Sequence, residues 1–475
     1  EPTHLGEAES MLKLSTQDAL FLTLESPEAP MHIGALITCR LPKGARGNFM
    51  QEWHARLARN TAETEPFNLR LVEKKGSGKD RLSWERADKV DLEYHLRHEA
   101  LPWPGGEREL GLAVSRLHSI PLERSRPLWE FTLIEGLQPA RFALYLKVHH
   151  ALSDGVGMLG SITAGMAESP RGVSRPPWAA PSGSNKEKAP ATQSADDDWQ
   201  QFFAELLGGI VRPGSRARRT PLIPRGPRCL LNGDTTSRRR VATQQISLAR
   251  VKALARAADA TVNDVILAVC AGALRAYLKE FDRLPKDALL ASVPVALPRG
   301  DDATIGNAVA SIHTAIATNL REPRRRLLAI RDAMRGAKEE FRIMPVSLHR
   351  VINSLGMQAM MMVPKRRNTD PERAAFTNLT ISNVPGPVQR LYFAGGEIDG
   401  MYPLSLLTGD HRLNITVLSY RDQLHFGLVA CPDTLPSVQY LAVQLPAALR
   451  ELEVSMARAR SKRRGAQARQ RSKVS

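Results

Sequence analysis

Two adjacent imidazoles, His149 and His150, precede an acid–glycine pair, Asp154-Gly155. Histidine accepts a proton near neutral pH and returns it, so either ring is a candidate general base. Neighbouring residues of a strand point to opposite faces, so the two rings cannot share one task. One can face a substrate while the other packs or hydrogen-bonds. Asp154, four residues after His150, can return beneath a turn to fix the loop or orient a ring. A buried, hydrogen-bonded histidine pair with Asp154 as a helix N-cap is the competing reading of the same residues. Zinc ligation by His149, His150 and Asp154 is the weaker alternative. Adjacent histidines rarely reach one ion, and H-E-x-x-H spacing is absent.

The elements that must hold these residues are legible on either side. Phe142, Leu144, Leu146 and Val148 alternate with Ala143, Tyr145 and Lys147, which predicts a strand ending at the histidines. An apolar run after Gly155 predicts a helix. Upstream, Ser15 is placed to cap a short helix carrying Leu20, Phe21 and Leu24. Glu25 ends that helix, and Ile33–Cys39 reads as a strand. A helix is expected over 47–60, short strands near 68–72, 81–85 and 91–98, and a helix over Glu107–His118. Pro127-Leu128-Trp129 offers no acid, base or nucleophile and reads as a packing anchor before a strand at Phe131–Glu135. That strand should pair with the histidine strand through a turn near Gln138–Ala140.

Between Ser169 and Thr243 the composition turns rich in Pro, Gly, Ser and Lys, as a linker does. Within it Trp199, Phe202, Phe203, Leu206, Leu207, Ile210 and Val211 form one helical apolar stripe. The stripe either packs on the protein or dips into a lipid surface beside a basic skirt. Further on, a helix is expected over Leu248–Ala258. Thr261-Val262-Asn263-Asp264 reads as a capping box that leaves Asn263 for a polar role. Strands follow at Ala288–Leu297 and Ser311–Leu320, and helices at Glu322–Phe341 and Ser347–Val363. The second helix carries Met357, Met360, Met361 and Met362, which suit either a gap-filling core or the wall of an acyl channel. A strand at Thr377–Ser382 turns at Asn383–Pro387. A hairpin over 411–420 and 424–430 and a last helix over Pro436–Leu452 complete the order. The basic segment 457–475 is expected to be a disordered arm.

With 475 residues, 43% of them hydrophobic, the chain can build two cored domains. The four cysteines lack C-x-x-C spacing, which favours a reducing compartment over a disulfide framework. No apolar run reaches the roughly 18–20 residues of a membrane span, and no signal peptide opens the chain. The first residue is Glu1, so the start reads as processed, trimmed or added, with Met11 as a native start. A formal charge of +17 points to anionic partners. Nucleic acid is disfavoured among these, because aromatic residues do not interleave the basic ones. Walker A, G-x-G-x-x-G and G-x-S-x-G patterns are absent, which points away from ATP-dependent activation, dinucleotide redox and serine acyl-enzyme chemistry.

His149-His150-Ala151-Leu152-Ser153-Asp154-Gly155 resembles the HHxxxDG motif of the CoA-dependent acyltransferase superfamily. The N-terminal L-x-x-x-D-x-x-F-L-x-L-E…P-M-H-x-G pattern, Pro127-Leu128-Trp129, Asn263-Asp264 and the Asn383–Pro387 region narrow this to the bacterial wax ester synthase/diacylglycerol acyltransferase family. The resemblance runs from about Leu14 to about Leu452. It implies an α/β fold of two chloramphenicol-acetyltransferase-like lobes, with mixed sheets flanked by helices and an active-site tunnel between them. The lobes would span 11–168 and 244–456, joined by the 169–243 crossover.

The resemblance also implies His150 as base, with Asp154 holding the loop, and His149 is counted with them in the catalytic group. Asn263 would approach the base from the other lobe, where its amide has the chemistry to face the oxyanion. Glu25, near the active centre by the same resemblance or simply a solvated carboxylate, is assigned to substrate binding with Gly155, Ser382 and Asn383. No metal and no cofactor are expected; acyl-CoA is a substrate. A fatty alcohol or diacylglycerol would accept the acyl group, giving wax ester or triacylglycerol. The expected location is cytoplasmic, peripheral on membrane or lipid bodies. Two other readings remain: a condensation-type enzyme acting on carrier-bound thioesters, and a non-enzymatic lipid-surface protein.

Overall fold

A computed structural model describes residues 11–74, 81–180, 225–296, 309–343 and 375–471. The chain opens with β1 (Met11–Lys13), α1 (Thr16–Leu24), β2 (His32–Arg40), α2 (Phe49–Ala58), β3 (Leu69–Glu73) and β4 (Leu82–Arg86). Next come α3 (Leu92–His95), β5 (Leu96–Ala100), α4 (Glu107–Ser119), β6 (Trp129–Leu137), β7 (Arg141–His149) and α5 (Gly155–Ala164). The second half holds β8 (Arg240–Ser247), α6 (Leu248–Ala258), α7 (Val262–Phe281), β9 (Leu290–Ala296), β10 (Val309–Ala315) and α8 (Pro323–Ile343). It closes with β11 (Leu379–Val384), β12 (Tyr392–Phe393), β13 (Gly396–Leu404), β14 (Leu413–Tyr420), β15 (Gln423–Ala430) and α9 (Val438–Arg471).

Two six-stranded sheets define two lobes. One runs β12-β13-β2-β7-β6-β5, the other β10-β9-β11-β14-β15-β8; β1, β4 and β3 form a small third sheet. Both large sheets mix parallel and antiparallel pairs: β5 lies parallel to β6, and β11 parallel to β14 and β9. Helix α7 is apolar on nearly every side, as a helix inside a core must be. It packs beneath the second sheet with α9. Gly272 permits that approach, since a Cβ there would sit 2.8 Å from the Ala448 Cβ. In the first lobe Trp129 acts as the expected anchor. It is fully buried, stacks on Trp178, meets Phe67 edge-on, and donates its indole N–H to the Phe67 carbonyl at 2.8 Å.

Three expectations change. The strand expected at 91–98 is a helical turn capped by Asp91, followed by β5. The last helix does not end near Leu452 or give way to a disordered arm; α9 continues to Arg471. The lobe boundary at 243/244 does not follow the sheets. Strand β8 begins at Arg240 and pairs with β15, while β12 and β13 cross back to join the first sheet beside β2. The apolar stripe at 199–211 and the helix expected over Ser347–Val363 lie outside the described residues. No single described helix is long and apolar enough to cross a membrane.

Candidate active site

The histidine strand ends where two other elements meet it. His149 closes β7 opposite His32 of β2, and the His150 N–H donates to the Met31 carbonyl at 2.8 Å. That bond pins the turn to the start of β2. The His150 ring is half-buried and stacks on Phe21 of α1, with centroids 4.4 Å apart. Helix α1 is itself fixed by Ser15, whose Oγ accepts from the Asp18 N–H at 3.1 Å, as its cap position predicts.

His149 is turned the other way and is 1% exposed. Its Nδ1 accepts from the Ala151 N–H at 3.1 Å, so the ring proton sits on Nε2. Nε2 lies 3.4 Å from Glu25 Oε1, an electrostatic contact without full hydrogen-bond geometry. Glu25 also accepts from the Met31 N–H at 3.0 Å and from Arg124 Nε at 3.1 Å. Burial raises the Glu25 pKa, but His149, the Met31 amide and Arg124 outweigh it, and the net shift is downward. His149 and Glu25 therefore position the turn from behind. Neither side chain is among those that line the cavity on which His150 opens.

Asp154 is 4% exposed and caps α5, accepting from the Gly157 N–H at 2.7 Å. A Cβ at Gly157 would lie 2.8 Å from Ser153 Oγ and 3.3 Å from Asp154 Oδ1, so any larger residue there would have to displace the Ser153 hydroxyl and crowd the cap. Beneath the sheet, Lys147 is fully buried. It bridges Glu130 Oε2 at 3.0 Å and the carbonyls of Leu117 and Ile120. Next to it, His118 meets the Tyr145 hydroxyl at 2.7 Å, and His32 meets the His118 carbonyl at 2.9 Å. Burial, with the Arg239 and Lys147 charges, pushes the His118 pKa down to about 3, so this support is neutral imidazole at physiological pH.

His150 opens on a cavity of about 280 Å³ between the two sheets. Phe21, Ile33, Met158, Leu159 and Ile162 line it from the first lobe, and Pro294, Val295, Val384 and Leu418 from the second. Asp154, Gly155, Ser382 and Asn383 line the same cavity, so five of the eight expected site residues, His150 among them, border one space. Ser292, Thr380 and Thr416 add hydroxyls to the second-lobe side. Asn263 does not line it. It occupies the second position of α7, half-buried, while Thr261 and Asp264 form the expected capping box. Phe21 and Tyr402 are site residues that sequence reading did not single out. Phe21 resembled ordinary helix core, though its place four residues before Glu25 in the N-terminal pattern was a usable signal. A second, more polar cleft of about 1060 Å³ lies toward the opposite ends of β2 and β7, near Arg40 and Arg141. Tyr402 borders both spaces and accepts from Gln245 Nε2 at 2.7 Å. Among the described residues no three His, Cys, Asp or Glu side chains gather closely enough to hold a metal ion.

A wax ester synthase/diacylglycerol acyltransferase catalytic domain matches residues 14–266, and the C-terminal domain of the same family matches residues 305–453. The chain belongs to that family. As a wax ester synthase/diacylglycerol acyltransferase family member it is an acyltransferase, and its relatives match over almost their whole length. A putative diacylglycerol O-acyltransferase of Mycobacterium tuberculosis is 39% identical over 93% of this chain and 99% of its own. The O-acyltransferase WSD of Acinetobacter baylyi is 35% identical over 92% and 95%. The wax ester synthase/diacylglycerol acyltransferase structure from Marinobacter aquaeolei VT8 superposes with a TM-score of 0.73 at 36% identity, covering 94% of this chain and 100% of that one. The first condensation domain of the calcium-dependent antibiotic synthetase shares the fold, with a TM-score of 0.54 at 16% identity over 94% and 96%.

Proposed function

We propose that this protein transfers a fatty acyl group from CoA to a long-chain alcohol, to diacylglycerol, or to both, with His150 as general base. One observation carries the assignment of the base. Of the two adjacent rings, His150 borders the apolar space between the lobes, while His149 is sealed behind the turn. In the proposed step His150 takes the hydroxyl proton as the alcohol oxygen attacks the thioester carbonyl. The tetrahedral oxyanion then collapses, the C–S bond breaks, and the imidazolium returns its proton to the departing CoA thiolate. Ser382 and Asn383 bring polar side chains to the same cavity and are the candidates to face the oxyanion. The apolar wall suits an acyl chain, whose burial is worth about 0.8 kcal/mol per methylene.

The names of the relatives support the choice of acceptors, and their match along the chain supports carrying it here. Such acceptors are insoluble in water. We therefore infer that the protein works on the surface of a membrane or lipid body, to which its formal charge of +17 adds attraction for anionic headgroups. The test is product analysis with purified protein and one long-chain acyl-CoA, offered hexadecanol, a diacylglycerol, or a carrier-bound aminoacyl acceptor. Ester formed with the first two supports the reading. Turnover with the carrier-bound acceptor alone would overturn it.

A further inference from the structure

A cavity of about 970 Å³ lies on the outer side of the second lobe, between the later part of α7, the start of α8 and α9. It shares no lining residue with the catalytic cavity. Seven arginine and lysine side chains line it, against two carboxylates, Glu322 and Glu451. Among the described residues none of the seven makes ion-pair contact with a carboxylate. Two of these cations are drawn inward. Arg326 is 2% exposed; its Nη1 donates to the Leu320 carbonyl at 2.9 Å, and its buried Nε–H has no acceptor. Arg275 donates to the Thr318 carbonyl at 2.7 Å. Burial first, and then the Arg275 charge, lowers the Arg326 pKa; Glu451 and Glu322 act the other way but do not cancel the shift. Glu322 and Glu451 act on this buried guanidinium without reaching ion-pair distance, so its charge is only partly offset, and an anion would relieve it.

The start of α8 does not supply the site. Glu322 already accepts from the Arg324 and Arg325 amides and from Ser455 Oγ, so that helix end is satisfied from within the chain. What remains unanswered is the charge of the side chains. Guanidinium forks match phosphate oxygens in pairs, which makes phosphate the fitting anion. Val454, half-exposed on the same wall, gives the site an apolar border.

We propose that this cavity binds a phosphate group, carried by an anionic lipid headgroup or by a soluble phosphate ester, at a site separate from the catalytic cavity. The full chain is tested by calorimetric titration with inorganic pyrophosphate. In parallel it is tested by flotation with phosphatidylcholine vesicles, with and without phosphatidylglycerol. The variants are Arg321→Gln/Arg450→Gln, both exposed, and Arg326→Lys, which keeps the charge and loses the fork. Thermal melting verifies that each is folded. We expect the double variant to bind at least about tenfold more weakly, the factor one charge-assisted hydrogen bond carries, with turnover of a short soluble alcohol unchanged. Loss in the vesicle arm identifies a lipid headgroup; loss in the pyrophosphate arm alone identifies a soluble ester. If neither probe binds, or folded variants bind both probes as the wild type does, the site does not exist.

Discussion

The turn after β7 and the turn before α7 share one local plan, yet only one of them borders the cavity between the lobes. In the first, Asp154 caps α5 through the Gly157 amide. In the second, Thr261 accepts from the Asp264 amide at 3.2 Å, and Asp264 accepts from the Thr261 amide at 2.8 Å. Both are sound helix starts. What separates them is what distant chain lays over each. Helix α1 brings Phe21 against His150, and β2 brings Met31 to its amide, while Asn263 stands outside the cavity wall. A capped turn is a platform, and tertiary packing decides whether chemistry happens on it.

The largest effect that can break this contrast is at the base. His150→Ala should lower acyl transfer about a hundred- to ten-thousand-fold at unchanged melting temperature, the range general-base catalysis covers. Near-normal steady-state turnover would remove His150 from the mechanism.

His149→Leu should act through the fold instead. It strips the Ala151 amide of its acceptor and Glu25 of its neighbour, at a cost of about 1–3 kcal/mol in urea unfolding. His149→Gln, which retains an acceptor and a donor, should recover part of that stability and of the rate. If His149→Leu instead matches His150→Ala in turnover while melting as the wild type does, His149 touches the reaction directly.

Asp154→Ala should cost about 1 kcal/mol as a lost N-cap, with a matching partial loss of rate. Asp154→Asn, which can still cap, should keep most of both. A stable but inactive Asp154→Asn protein would show that the carboxylate does more than cap.

At the second turn, Thr261→Ala should cost a similar ~1 kcal/mol with turnover retained. Asn263→Ala should leave turnover within the same order of magnitude. An Asn263→Ala loss as deep as that of His150→Ala would mean that the second turn also reaches the reacting atoms.

The remaining effects are read on acidification. Glu25 is held below its ordinary 4.5, so its contribution is present above that pH and lost as the pH falls through the lowered value. Glu25→Gln should therefore flatten stability only on the acid side of 4.5. His118 stays neutral down to about 3, whereas an unfolded histidine takes its proton near 6.5. Wild-type stability should accordingly fall progressively from pH 6.5 toward 3, read by denaturant melts across that range.

The histidine strand, its turn and the following helix were readable because alternation and capping are local signals. So was the Trp129 anchor. Lys147 shows where local reading stops. Alternation placed it on a face with Tyr145, but only the pairing of β6 with β7 reveals Glu130 directly opposite it. The crossing of β13 to β2 was equally hidden, since strands so distant in sequence carry no mark of their partner. For residues 457–471, low apolar content suggested disorder. Yet Ala, Arg, Lys and Gln are good helix formers, and α9 simply continues through them. Asn263 was legible as a motif residue, but a motif does not state what will be packed against it, and its place outside the cavity lining carried no local signal.

The crossing of β13 also bears on how the protein can be made. Strand β2 has β7 on one side and receives β13 on the other. As the polypeptide leaves the ribosome, β2 and β7 are available early, but the second neighbour of β2 waits for residues 396–404. Until then the Gly34–Cys39 side of the nascent sheet offers unpaired amides and carbonyls to any passing strand. The first half of the chain is thus not a separable module. It is a template that only its own distant C-terminal half completes.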